Sequence, residues 1–306
     1  MPRSAPAFGD RLAAWVSARE SQIVLGLDPD PAALWPGCEA AEEGSPAEQA
    51  ADAVLSHCSA LIEAAGPACV AIKPQLSRFE ALGADGWRAL TWTIQYAHDL
   101  GLLVIADAKR GDIDVSAAAY AQALMGAIET PWGRVRGIDA DMATVNPLMG
   151  ADALQPFIAT ARKSERGVLA LVRTSNPGAA DIEDAEMADG RPLWERIAKL
   201  VDELGSSNLS DCGLSDVGAV VGATVPEHLR RARELMPSAV FLLPGVGAQG
   251  GRVEDLAPAF APGRAGGLIA ASRSIANAYL QSGGEPADAA RAEAERLREL
   301  AWSVSS

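Results

Sequence analysis

The stretch Val104-Ile105-Ala106-Asp107-Ala108-Lys109-Arg110-Gly111-Asp112-Ile113 joins an apolar run to a cluster of charges. Its apolar first part is typical of a buried β-strand. Because alternate residues of a strand share one face, Asp107 and Lys109 are expected to point the same way at the carboxyl end. Gly111 permits a tight turn that brings Asp112 near the same place. The pattern fits either a functional site or an ion-paired strand end.

Seven other short apolar runs are expected to form buried strands, and helical segments follow them. These runs are Ile23–Leu27, Cys69–Pro74, Met142–Pro147, Val168–Val172, Val217–Ala223, Val240–Pro244 and Gly267–Ala271. Alternation of strands and helices predicts a parallel sheet, and eight such units favour a closed barrel over a doubly wound sheet. We therefore predict an α/β fold, a single (β/α)₈ TIM barrel with an extra N-terminal helix and long loops.

The chain is expected to form one domain over residues 1–306. A leading helix falls within residues 1–22, the barrel within 23–280 and a C-terminal helix within 281–306. The helix after the third strand is predicted from Val115 to Ile128. Long connections are expected at Pro36–Pro46 and Ala179–Gly190.

Composition indicates the broad class of protein. The net charge of −14 argues against a nucleic-acid partner or an anionic membrane surface. No apolar run reaches the roughly 18 residues that a membrane span requires. The start of the chain lacks a signal-peptide pattern, and the four cysteines have no C-x-x-C spacing, which favours a reducing cytoplasm. The three histidines lie far apart, so we expect no metal site.

Polar residues stand at the carboxyl ends of the predicted strands, which form the active-site face of such barrels. They are Asp28, Lys73, Asp107, Lys109, Asn146, Ser175 and Arg273. A lysine that ends an apolar strand needs a partner, so Lys73 is expected to join a charge network with Asp107, Lys109 and Asp112. A simple ion pair with one carboxylate is the alternative. No histidine ends a strand, so a Ser-His-Asp triad has no support.

The glycine-rich turn Gly245–Gly251 follows the seventh predicted strand, and Ser272-Arg273 follows the eighth. Barrels commonly bind phosphate at these two strand ends through backbone amides. Arg273 could add a bidentate, charge-assisted contact. A plain flexible loop is the alternative for the glycines alone, but the neighbouring arginine favours phosphate binding.

Together these motifs resemble the orotidine 5′-phosphate decarboxylase family. The segment Asp107–Ile113 is similar to the family's D-x-K-x-x-D-I signature. Pro244–Gly251 resembles its phosphate loop and Ser272–Ile275 its last strand end, and Asp28 and Lys73 also fit. The likeness covers roughly Ile23 to Leu280, and chain length and local segments resemble the longer bacterial subgroup.

The resemblance implies decarboxylation of orotidine 5′-monophosphate to uridine 5′-monophosphate in de novo pyrimidine synthesis, with no metal or organic cofactor. Lys109 would stabilise the carbanion at C6 and then protonate it. Asp107 would lie beside the substrate carboxylate, and Lys73 and Asp112 would hold the charges in place.

The same resemblance implies which residues bind substrate. Asp28 and Lys73 would contact ribose hydroxyls, Ser175 the pyrimidine edge, and Arg273 the phosphate. Gln249 would bridge base and phosphate. The remaining residues of the implied substrate site are Pro244, Gly250 and Ser272.

A homodimer with shared active sites is also implied by the resemblance. Asp112 and Ile113 would reach into the neighbouring subunit's site. Ser116 stands where the family often has threonine, and its hydroxyl would contact the neighbouring ribose.

The residues alone are also compatible with two other functions. A sister enzyme that acts on a sugar phosphate shares the D-x-K-x-x-D pattern but uses Mg²⁺ and an enediolate. A phosphate-binding barrel that acts as a sensor would bind nucleotide without turnover. Ile113 after Asp112, and Gln249 in the phosphate loop, favour the nucleotide decarboxylase.

Overall fold

The computed structural model describes residues 6–39, 43–247 and 250–305. Its strands, numbered in chain order, are β1 (Ile23–Leu27), β2 (Ala71–Pro74), β3 (Leu103–Arg110), β4 (Ala127–Thr130), β5 (Gly133–Arg136), β6 (Met142–Val145), β7 (Gly167–Arg173), β8 (Val217–Val221), β9 (Phe241–Leu243) and β10 (Gly267–Ala271). Eight of these strands close into a parallel barrel in the order β1-β2-β3-β6-β7-β8-β9-β10. The predicted (β/α)₈ barrel is therefore confirmed.

Helices follow the barrel strands along the chain. The α-helices of the described residues are α1 (Phe8–Arg19), α2 (Pro46–Ala65), α3 (Leu76–Glu80), α4 (Gly83–Asp99), α5 (Asp114–Met125), α6 (Ala151–Lys163), α7 (Ala179–Ile182), α8 (Leu193–Gly205), α9 (Pro226–Leu235), α10 (Arg273–Ala276), α11 (Tyr279–Ser282) and α12 (Pro286–Val304). After β9 the connection is a 3₁₀ helix, Val253–Phe260, instead of an α-helix. No helix of the described chain is long and apolar enough to cross a membrane.

The apolar core has two parts, one inside the barrel and one between the barrel and its helices. The leading helix α1 contributes Phe8, Leu12 and Val16 to the inner part. A Cβ added to Gly167, the first residue of β7, would lie 2.5 Å from the Phe8 ring. The helix therefore packs against the amino-terminal ends of the strands, and it leaves their carboxyl ends open.

The helix predicted from Val115 to Ile128 is wrong at its carboxyl end. Helix α5 ends at Met125, because Gly126 takes an extended conformation. Ile128 lies instead in β4, which pairs antiparallel with β5 across a turn at residues 131–132. This two-stranded hairpin stands outside the barrel and exposes 92% of Trp132.

The four cysteines are free thiols, three of them buried and Cys212 exposed. The long connection predicted at Pro36–Pro46 leads into α2, whose first turn is closed by a capping box between Ser45 and Glu48. Residues 40–42 of this connection lie outside the described residues.

Candidate active site

Asp107 is the centre of the charged cluster at the carboxyl ends of β2, β3 and β6. Its Oδ2 atom lies 2.6 Å from Lys73 Nζ, and its Oδ1 atom lies 2.5 Å from Lys109 Nζ. Thr144 Oγ1 also donates a hydrogen bond of 3.0 Å to Oδ1. The carboxylate and Lys73 are each 8% exposed, whereas the Lys109 side chain is 44% exposed. Lys109 is thus the ammonium group of the cluster that an entering molecule can reach.

The charges of this cluster stabilise one another. Burial alone would raise the pKa of the Asp107 carboxyl, but the ammonium groups of Lys73 and Lys109 outweigh it and lower the pKa to about 2. At neutral pH Asp107 is ionised. Two ammonium groups and one carboxylate leave one positive charge, which favours an anionic ligand.

A β-bulge directs Lys109 into the cluster. The pairing of β3 with β6 shifts register between Ala106 and Arg110, and Lys109 has a left-handed backbone with φ of 48°. The Lys109 N–H donates to Thr144 Oγ1 at 2.9 Å, which holds this conformation. Asp107 and Lys109 do meet, but the bulge rather than simple strand alternation brings them together.

Gly111 and Asp112 differ from the arrangement expected from the sequence. The left-handed residue of this stretch is Lys109 and not Gly111. Asp112 Oδ1 accepts a hydrogen bond from the Ile113 N–H, and within the described residues it pairs with neither Lys73 nor Lys109. A single chain therefore brings together three of the four charged residues.

A cavity of about 480 Å³ opens beside the cluster. We call it the reaction cavity. The predicted site residues that line it are Lys73, Asp107, Lys109, Ser175 and Pro244. Much of the opposite wall is apolar and includes Leu171, Ile182, Leu193, Ile197 and Leu242. Such a wall lowers the local dielectric constant and strengthens interactions with the charges.

Part of the wall is fixed by a polar clamp between β7 and the Ala179–Gly190 connection. Arg173 contacts both carboxylate oxygens of Asp184, at 2.8 and 2.9 Å. Glu183 accepts a hydrogen bond of 2.8 Å from the Thr174 N–H. The connection, predicted as a loop, contains the short helix α7 and forms a wall of the reaction cavity.

A second cavity of about 230 Å³ lies at the ends of β1 and β10. We call it the arginine cavity. Asp28, Ser272 and Arg273, all predicted substrate residues, line it together with Arg78 and His57. Eight of the predicted site residues thus fall into two cavities, one rich in paired charges and one that contains two arginines.

The glycine-rich turn has the backbone that its sequence indicates. Gly245, Gly247 and Gly250 all have positive φ, and the Gly251 N–H donates to the Gly245 carbonyl at 3.0 Å. Gln249 lies outside the described residues, so its predicted contact stays a prediction. The turn follows β9 and Arg273 follows β10, and these two strands pair with each other.

Ile113 and Ser116 line neither cavity. Both are exposed at the start of α5, as is Val115, which is 75% exposed. Together with Asp112 they leave part of the predicted site on the outside of a single chain.

Sequence reasoning assigned no role to Thr144, Arg78 or Ser274. Thr144 was detectable as a hydroxyl near the end of β6, because strand ends meet at one face. The Ser274 hydroxyl is buried without a hydrogen-bond partner among the described residues. Across the described residues, no group of three or more His, Cys, Asp or Glu side chains is placed to hold a metal ion.

Comparison with known proteins places this chain in a family. Residues 21–292 match the model of the orotidine 5′-phosphate decarboxylase / HUMPS family. A relative from Rhodopirellula baltica named orotidine 5′-phosphate decarboxylase is 37% identical over 275 residues, which cover 89% of each chain. A relative of the same name from Haloarcula marismortui is 42% identical over 250 residues, 81% of this chain and 79% of its own.

The fold agrees with that match. The solved structure of Leishmania donovani OMP decarboxylase superimposes with a TM-score of 0.70 at 31% identity, and covers 96% of this chain and 98% of its own. A putative orotidine 5′-phosphate decarboxylase from Streptomyces avermitilis gives a TM-score of 0.77 at 28% identity, with 99% of this chain and 97% of its own covered. The chain therefore belongs to the orotidine 5′-phosphate decarboxylase / HUMPS family.

Proposed function

We propose that this chain is a carboxy-lyase that converts orotidine 5′-monophosphate to uridine 5′-monophosphate in pyrimidine synthesis. The observation that carries the proposal is the Asp107 carboxylate held between Lys73 and Lys109 at the edge of a partly apolar cavity. The names of the relatives support the substrate.

The proposed reaction needs a fixed positive charge beside C6. When the bond between C6 and the carboxylate breaks, CO₂ leaves and the electron pair stays on C6 in the plane of the ring. The Lys109 ammonium stabilises this charge and then donates a proton to C6. Its amine regains a proton from solvent, which the 44% exposure of the side chain supports.

Asp107 and Lys73 have supporting roles in this proposal. Asp107 lies beside the departing carboxylate, where like-charge repulsion favours its loss. With its pKa at about 2, Asp107 keeps its charge at neutral pH. Lys73 is buried against it and fixes its position. No metal or organic cofactor takes part in these steps.

Substrate binding is divided between the two cavities. We assign the pyrimidine to the reaction cavity, with Ser175 at its edge and Pro244 nearby, and the ribose phosphate to the arginine cavity. Asp28 and Lys73 contact ribose hydroxyls, and Arg273 contacts the phosphate. The backbone turn that includes Gly250, together with Gln249 and Ser272, completes the phosphate site.

The test of the proposed activity is loss of the ultraviolet absorbance of orotidine 5′-monophosphate. We expect turnover that persists in EDTA. A rival Mg²⁺-dependent enzyme on a sugar phosphate predicts no turnover of the nucleotide, or activity that requires the metal. Binding of nucleotide without any turnover would instead indicate a sensor.

We also propose a homodimer with shared sites in the reducing cytoplasm. The half-buried Asp112 and the exposed Ile113 and Ser116 support the dimer, because they lie apart from both cavities of their own chain. The free thiols are compatible with the compartment. Inactive Lys109→Ala and Asp112→Ala chains should regain activity when mixed, because each mixed dimer has one wild-type composite site. No recovery despite demonstrated subunit exchange would contradict the shared site.

A further inference from the structure

Arg78 lines the arginine cavity although no sequence motif assigned it a role. It lies on the short helix α3, which follows Lys73 and the end of β2. Asp28 and Arg273, the proposed ribose and phosphate contacts, line the same cavity from β1 and β10. Three strand ends thus bring two guanidinium groups to one small space.

Neither Arg78 nor Arg273 forms an ion pair or a side-chain hydrogen bond with the described residues. Arginines elsewhere in this acidic protein do form such pairs. Examples are Arg88, Arg162, Arg173, Arg231 and Arg296. As far as the described residues go, the side-chain donors of these two arginines are therefore available for a ligand.

The formal charges around the cavity also favour a role for Arg78. Asp28 and Asp30 line it with the two arginines, so two negative and two positive groups sum to zero. With Arg273 alone the cavity would be net negative before a phosphate dianion entered. Since Asp28 is needed for the ribose hydroxyls, a second cation offsets its repulsion of the phosphate.

We propose that Arg78 is a second guanidinium contact to the 5′-phosphate of the nucleotide, and that it selects phosphorylated ligands together with Arg273. This inference rests on the proposed function and adds a specificity residue to it. A planar guanidinium presents a fork of N–H donors that matches phosphate oxygens. Because the Arg78 side chain is exposed, it can turn onto the phosphate when the nucleotide enters.

Calorimetric binding of uridine 5′-monophosphate and of uridine tests the role. We expect Arg78→Gln to weaken binding of the nucleotide about ten- to a hundredfold, the range for loss of a hydrogen bond to a charged group. Binding of uridine should stay unchanged, because uridine has no phosphate. Arg78→Lys keeps the charge but not the fork and should fall between wild type and Arg78→Gln.

Arg88→Gln is the matched control, because Arg88 is a surface arginine that pairs with Asp52 on the neighbouring helix. It should bind both ligands as the wild type does. Equal weakening of nucleotide and nucleoside by Arg78→Gln would mean that Arg78 acts on the ribose or on the fold, and would overturn the proposal. Unchanged nucleotide binding would overturn it as well.

The failure of this inference is distinguishable from failure of the proposed function. If the wild type decarboxylates orotidine 5′-monophosphate and Arg78→Gln has an unchanged KM, only the role of Arg78 is wrong. If the wild type shows no turnover, the proposed function is wrong whatever the variant does. A raised KM with a nearly unchanged kcat is the kinetic result we expect.

Discussion

The reaction cavity and the arginine cavity lie at the same face of the barrel, but they differ in whether their charged side chains are paired. In the reaction cavity each charge already has a partner, since Asp107 contacts Lys73, Lys109 and Thr144. In the arginine cavity Arg78 and Arg273 have no partner among the described residues. The charges of the reaction cavity are thus paired before a ligand arrives, whereas the arginine cavity presents hydrogen-bond donors without a partner among the described residues.

This difference fits the tasks proposed for the two cavities. Charges that act on a transition state help most when they are fixed in advance, because no reorganisation is then needed during the reaction. Charges that capture a phosphate gain most from a partner that only the ligand supplies. Mutations should therefore affect turnover in one cavity and affinity in the other.

The largest effect is expected from Lys109→Ala in the reaction cavity. Turnover should fall at least about a thousandfold, because both the fixed charge and the proton donor are lost. Binding of uridine 5′-monophosphate should change only a few-fold, since the phosphate contacts remain. Steady-state rates and calorimetry check the two parts. Near-normal turnover would refute the proton-donor role, and Lys163→Ala, at an exposed helix end, is the control.

Arg273→Ala in the arginine cavity is expected to have a smaller effect, and to change affinity rather than turnover. The value of kcat/KM for orotidine 5′-monophosphate should fall about a hundredfold, mainly through KM, because a charge-assisted contact to phosphate is lost. Uridine should bind as before. Arg291→Ala on the surface of α12 is the control. Equal losses for nucleotide and nucleoside would remove the distinction between the cavities.

The smallest effect concerns stability in acid. Asp107 has a pKa of about 2 in the folded chain and about 3.9 when unfolded, so the folded state binds fewer protons. The stabilisation is present above pH 4 and is lost as the pH falls towards 2, by roughly 2 kcal/mol. Urea unfolding across this window should show a shallower fall for Asp107→Asn than for the wild type. The surface variant Asp288→Asn should retain the wild-type slope.

The barrel could be predicted because its strands are short apolar runs that end in polar residues. The strand containing Leu268 and Ile269 is an example, since both are fully buried and Ser272-Arg273 follows them. The hairpin was missed because its strands are four residues long, mostly exposed and without a buried face. Apolar residues recur at a regular spacing when one face of a strand is buried, so the exposed strands of this hairpin show no such pattern.

The sequence could not predict the whole site, because the local backbone at Lys109 and the positions of Arg78 and Asp112 depend on how the chain folds. The bulge that places Lys109 depends on a hydrogen bond to Thr144, which comes from a different strand. Likewise, Arg78 gave no signal, because an arginine on a short helix resembles any surface residue until the fold places it beside Arg273. Asp112 lies apart from the charged cluster of its own chain.

Because the backbone at Lys109 is left-handed, folding stability and the proposed reaction favour different residues at this position. Glycine adopts that conformation with least strain, whereas a lysine there costs free energy. Yet glycine has no ammonium group, so under the proposed chemistry the residue best suited to the backbone would be inactive. Position 109 therefore cannot be optimal for both folding and reaction, and screens that select only for thermal stability should tend to discard its lysine.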